Sequence, residues 1–73
     1  MEVILPVFSV RLKALRQESG LTQNKMAEML GKTVRHYQAI EAGTVNVSAT
    51  VLIFLSQEFQ VTTDYLLGLS DER

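Results

Sequence analysis

Residues 21–43 read LTQNKMAEMLGKTVRHYQAIEAG, and the fold turns on how this stretch divides. Thr22 is a residue type whose hydroxyl accepts hydrogen bonds from backbone N–H groups at a helix start, and Gly31 is the type that closes a helix in the left-handed conformation. Thr33 repeats the start signal, and Gly43 marks the next end. Met26, Ala27 and Leu30 share one face of the first segment, as Tyr37 and Ile40 share one face of the second. Two short helices follow, joined by a glycine-containing turn of about three residues. Ala27 stands where two helices crossing at close range exclude a large side chain, and Gly31 stands where the turn needs a positive φ.

The same signals extend outward in both directions. Phe8, Leu12, Leu15 and Ser19 form an apolar stripe on an upstream helix that Gly20 stops, with Pro6 setting its start. Downstream of the connector TVNV, Ser48 caps a helix through ATVLIFLSQEF, whose inner face is Leu52, Leu55 and Phe59. Thr63 and Asp64 then cap a short fifth helix filled by Tyr65, Leu66 and Leu67 before Gly68. The chain reads as an all-α, compact five-helix domain over residues 8–70, preceded by an apolar segment, 1–7, and followed by a tail, 71–73.

At 73 residues there is room for one domain. Such a chain hides only about 60% of the surface that its unfolded form exposes, so its apolar residues are spent on a single small core with no deep catalytic pocket. Cysteine is absent, which removes disulfides and thiolate metal sites and suits a reducing cytoplasm. The longest apolar runs, VILPVF and VLIFL, fall far short of the roughly 18 residues of a membrane span. Residues 1–10 lack the basic start and small-residue cleavage site of a signal peptide, so a cytoplasmic location is expected.

A formal net charge of −1 conceals polarity. Arg11, Lys13, Arg16, Lys25, Lys32 and Arg35 outweigh Glu2, Glu18 and Glu28 in the first half, whereas Glu41, Glu58, Asp64, Asp71 and Glu72 outweigh Arg73 in the second. A positive front suits docking on a polyanion through one face, although the pI of 5.7 lies below the basic footprint of a strongly cationic nucleic-acid binder.

The run LTQNKMAEMLGKTVRHYQAIEAG followed by VSATVLIFLSQEFQVTTDYLLGLS resembles the Cro/phage-repressor (XRE) family of helix-turn-helix DNA-binding proteins over residues 8–70. GLTQ, AEMLG, IEAG and DYLLG carry the likeness in the expected order. The resemblance implies a lambda-repressor-like fold and a transcriptional regulator, a repressor by preference, that binds a palindromic double-stranded operator as a homodimer. It implies no cofactor, metal, catalytic residue or small-molecule ligand. By the same resemblance Gln23 contacts a phosphate at a helix N-terminus, and Thr33, Val34, Arg35, Gln38 and Ala39 face the major groove. Arg16 and Glu41 match a structural ion pair.

Helix geometry points the same way for the reading face. At about 100° per residue, positions 34, 35, 38, 39 and 42 fall on one side of the third helix and Tyr37 and Ile40 on the other. Lys32 replaces a residue that is small and apolar in relatives, and Ala42 and Thr44 flank Gly43 where relatives are often basic. Phosphate contacts therefore fall to Gln23, Lys25, Lys32, Thr44, Asn46 and backbone amides, with a correspondingly weak salt dependence.

Arg35 can bond guanine in bidentate fashion or hold a phosphate, Val34 can meet a thymine methyl, and Gln38 can pair with adenine or stay hydrated. His36 lacks partners for metal or catalysis and is expected to be packed or phosphate-facing. Phe54 stands off the inner stripe and, with Tyr65 and Leu66, marks a possible dimer or partner surface unless the N-terminal segment covers it. The alternative to an operator-binding regulator is a protein-interaction module, such as an antitoxin or accessory subunit, with little or no DNA binding.

Overall fold

The computed structural model describes residues 4–73. Within them the chain forms α1 (Pro6–Glu18), α2 (Gln23–Leu30), α3 (Val34–Glu41), α4 (Ala49–Phe59) and α5 (Thr63–Leu67), with no strand among the described residues. This is the all-α, five-helix architecture expected of the lambda-repressor-like fold. Met1 to Val3 of the N-terminal segment lie outside the described residues.

Each helix start is chemically written. The hydroxyls of Thr22, Thr33, Ser48 and Thr62 accept from the backbone N–H groups of Lys25, His36, Val51 and Tyr65. Such a cap contributes about 1 kcal/mol to its helix. The fifth cap is Thr62, one residue before the expected Thr63 and Asp64, which lie inside the first turn. There the Asp64 carboxylate faces the partial positive charge of the helix start. α1 has no side-chain cap and begins with Pro6, whose missing N–H costs nothing at that position. The helix thus takes in Pro6 and Val7, two residues of the segment that reads as lying outside it.

Phe8, Leu12 and Leu15 of α1, Met26 and Ala27 of α2, Tyr37 and Ile40 of α3, Val51 and Leu55 of α4, Val61 and Leu66 make one continuous core. Two inward assignments need correction. Ser19 is exposed, because α1 ends at Glu18 and the chain turns away before another stripe position is reached. On α4 the buried residues are Val51 and Leu55, with Leu52 and Phe59 packed at the margin. An all-apolar stretch such as VLIFL does not reveal its inner face, and packing sets the rotation.

Two glycines hold the central motif. Gly31 adopts φ +67 with open space where a Cβ would stand, so the turn needs its left-handed backbone alone. Gly43 adopts φ +72, and a Cβ there would lie 2.7 Å from the carbonyl oxygen of Leu5. The close approach has a purpose: the N–H groups of Ile4 and Leu5 donate to Gly43 O at 2.8 and 3.1 Å, fastening the start of the chain to the end of α3.

Candidate nucleic-acid interface

α2 and α3 cross with Ala27 buried between them, and the turn closes by the Lys32 N–H donating to Ala27 O at 2.9 Å. This fixes which sides of α3 face inward. Tyr37, Ile40 and Glu41 are buried, whereas Val34, Arg35, His36, Gln38 and Ala42 are exposed and Ala39 is half-buried. Thr33 is exposed at the start of the helix, its oxygen already accepting from His36 N–H at 3.1 Å.

Beside this surface lies a polar cluster assembled from three helices. The carboxylate of Glu41, with 5% of its side chain exposed, accepts from Arg16 Nε at 2.8 Å through Oε1 and from Gln23 Nε2 at 2.8 Å through Oε2. Arg16 spends a second donor on Leu21 O at 2.8 Å, so the guanidinium also ties down the α1–α2 connection. Gln38 Nε2 donates to Gln23 Oε1 at 3.2 Å. Removing two charges from water offsets much of their attraction, so the Arg16–Glu41 pair serves geometry more than net stability. Tyr37 borders the cluster with a fully buried hydroxyl that has no hydrogen-bond partner among the described residues. Burial above all, then the Glu41 charge, pushes its pKa well above the ordinary tyrosine range, with Arg16 acting in the opposite sense.

Gln23 and Gln38 read from sequence as separate contacts, one for phosphate and one for a base, yet the structure joins them. Lys25 is exposed and pairs weakly with Glu28 at 3.6 Å. The Thr44 hydroxyl donates to Ala39 O at 3.3 Å, and Asn46 is exposed in the same connector. Lys32 lies at the rim of a cavity of about 300 Å³ formed by Met29, Leu30, Ser48, Thr50, Val51 and Phe54. Phe54 is half-buried and packed against the core, so it is not the exposed aromatic that its sequence position suggests. Among the described residues, none that lines that cavity comes from the N-terminal segment.

Sequence reading passed over Ser9 and Lys13. They form the α1 wall of a shallow groove of about 210 Å³ whose other lining is Gln23, Gln38, Glu41 and Ala42. Their i, i+4 spacing, with Arg16 three residues further on, was the available signal.

The opposite end of the molecule is closed by cations. Arg11 donates to the carbonyls of Tyr65 and Ser70, pairs with Asp71 at 2.8 Å and stands 4.1 Å from the centroid of the Tyr65 ring. Arg73 sits 5.6 Å from the same centroid and grips both oxygens of Glu18 at 3.0 and 2.8 Å. That grip lowers the Glu18 pKa and raises that of Arg73. Tyr65 is therefore half-covered by the chain's own tail. Leu66 is 0% exposed and cannot belong to a partner surface; a helix of one to two turns buries its central leucine when it seats on α1.

Comparison with known proteins places this geometry. A family model described as "Helix-turn-helix" matches residues 12–66. The uncharacterized HTH-type transcriptional regulator YqaE of Bacillus subtilis is 41% identical over 68 residues, covering 92% of this chain and 59% of that protein. YobD, another HTH-type transcriptional regulator of the same organism, is 32% identical over 66 residues, 90% of this chain and 59% of that protein. The HTH-type transcriptional regulator PrpR of Mycobacterium tuberculosis is 33% identical over 63 residues, 86% of this chain but 13% of that protein. The chain thus spans less than two thirds of the length of these relatives.

Proposed function

The chain belongs to the Cro/C1-type helix-turn-helix family, whose members are DNA-binding proteins and not enzymes, and from that premise we propose that it binds double-stranded DNA sequence-specifically as a transcriptional regulator. In this reading α3 enters the major groove. Arg35 takes the guanine-reading role at the start of the helix, Val34 the thymine methyl, and Thr33, Gln38 and Ala39 complete the reading surface. Gln23, Lys25, Lys32, Thr44 and Asn46 hold the phosphates, joined by Lys13. Two copies bind a palindromic operator with half-sites about one helical turn apart, and binding represses transcription in the cytoplasm.

The observation that carries the proposal is the division of α3. Its buried residues are locked to α1 and α2, leaving Val34, Arg35 and Gln38 together on a rigid exposed face. A helix held this way can read base edges without ordering itself first.

The test is selection of duplexes from a random pool, followed by titration of the enriched sequence at several salt concentrations. The proposal expects an inverted repeat and a loss of about 1–3 kcal/mol with Arg35→Ala on that sequence. A pool that yields no enriched sequence, with only weak and salt-labile binding, would overturn it. The antitoxin or accessory-subunit reading would then take its place.

A further inference from the structure

Hydrogen-bond polarity is transmitted outward through the cluster beside α3. Glu41 is ion-paired with Arg16 at 2.8 Å, and a carboxylate so paired only accepts. The group facing its Oε2 must therefore be a donor, which turns the Nε2 side of Gln23 inward and leaves Gln23 Oε1 as an acceptor on the outer side. What faces that oxygen must again be a donor, and it is Gln38 Nε2. Each amide orientation follows from the one before it, back to a buried charge that cannot reverse.

Resting on the DNA-binding reading above, we infer that Glu41 and Gln23 act as positioning residues that fix the amide of Gln38 for adenine. One N–H of Gln38 is spent on Gln23. The second N–H and Oε1 make no other hydrogen bond among the described residues. A donor and an acceptor held side by side match the N7 acceptor and N6 amine that adenine presents in the major groove, and guanine offers two acceptors at the same place. A free glutamine can swap its oxygen and nitrogen at little cost. Here the swap would set Gln38 Oε1 against Gln23 Oε1, or Gln23 Oε1 against the carboxylate. Partial burial at the Gln23–Glu41 contact strengthens the second of these repulsions. Base preference at this position is thus set by two residues that touch no base.

The test compares base preference, not affinity alone, since loss of Gln23 also removes a phosphate contact. The enriched operator is varied one base pair at a time and titrated with wild-type protein and with the Gln38→Ala, Gln38→Glu and Gln23→Met variants. Gln23→Met keeps the length of the side chain and leaves the Arg16–Glu41 pair in place. Circular dichroism verifies that each variant is folded.

The expected result is one A·T pair whose replacement by G·C weakens wild-type binding about tenfold. That factor falls toward one in Gln38→Ala and in Gln23→Met, while preferences at other positions persist. Gln38→Glu moves the preference toward a pair presenting the cytosine amine. In the free protein, the Gln38 side-chain amide should gain picosecond-to-nanosecond mobility in Gln23→Met by nitrogen relaxation. If Gln23→Met weakens every sequence by the same factor and leaves the base preference intact, Gln23 is a phosphate contact only and the inference fails while DNA reading stands. If no sequence is enriched, both fall.

Discussion

Arg16 Nε and Glu41 Oε1 lie 2.8 Å apart, joining the first helix to the end of the third across 25 residues of chain, with 12% and 5% of their side chains exposed. The pair meets at the C-terminal end of α3. From Glu41 a run of hydrogen bonds passes through Gln23 to Gln38 on the exposed face of α3.

Breaking this pair from one side should be costly. Arg16→Met or Glu41→Leu alone leaves the other charge unpaired in a poorly solvated site, with an expected loss of about 3 kcal/mol in urea unfolding. The double substitution should recover most of that loss. A double-mutant cycle with near-additive losses would show that the two groups do not compensate one another.

Tyr37 invites the opposite experiment. Its hydroxyl is buried without a partner, so Tyr37→Phe removes a desolvated polar group and should leave stability unchanged or raise it by up to about 1 kcal/mol. The pKa is raised in the folded state, so folding disfavours the phenolate. The stability at stake is present below the ordinary value of 10.0 and is lost as the pH rises above it. Tyr37→Phe should therefore flatten the alkaline limb of stability against pH, measured by thermal unfolding from neutral pH upward.

The two central glycines should not respond alike to alanine. Gly31→Ala meets open space and bears only the left-handed backbone cost, about 1 kcal/mol. Gly43→Ala adds a contact of 2.7 Å with a backbone oxygen, and relief requires Leu5 to move off its hydrogen bond. Equilibrium unfolding should show the larger loss at Gly43. Amide exchange should show that loss accompanied by release of the Ile4 and Leu5 N–H groups.

Acid should loosen the tail before the core. Glu18 has a pKa lowered mainly by its hydrogen bonds to Arg73, so the tail contact is fully present above the ordinary carboxylate range and is lost as the pH falls through the lowered value. The Thr62 N–H donates to Arg73 O at 3.1 Å and serves as the reporter. Its protection factor, the observed exchange rate set against the intrinsic rate at the same pH, should fall on acidification in the wild type, and in Glu18→Gln it should be low at every pH over that range.

Phosphate contacts should declare themselves in salt dependence. On the selected operator, Lys32→Ala and Lys13→Ala should each reduce the slope of log affinity against log salt by about 0.9 per half-site, with little change in base preference. A substitution that leaves the slope unaltered removes that lysine from the phosphate contacts.

Much of the architecture was legible because it rests on local chemistry. Threonine and serine caps, the glycine at the α2–α3 turn and the spacing of Met26, Ala27, Tyr37 and Ile40 act within a few residues, so the helix-turn-helix and all five helices could be read in order. Errors arose where local signals are degenerate. Thr62 and Thr63 are equally good caps on paper, and a run of five apolar residues in α4 has no preferred inner face until it packs.

The outward face of α3 followed from periodicity, since a helix with Tyr37 and Ile40 buried must turn Val34, Arg35 and Gln38 away. The resemblance to repressors pairs Arg16 with Glu41, and the structure places them 2.8 Å apart. Nothing local could show that Gln23 and Gln38, 15 residues apart on two helices, share a hydrogen bond; that Ser9 and Lys13 complete their groove; or that Leu66 is buried where Tyr65 is gripped by two arginines. Those relations depend on crossing angles and rotations fixed by the whole core at once. The sequence by itself determined the helices, their caps and the side of α3 that faces outward, because backbone hydrogen bonding and burial act residue by residue. The tertiary structure alone decided which polar side chains meet, because hydrogen bonds require their partners within about 3 Å and only the assembled packing sets distances on that scale.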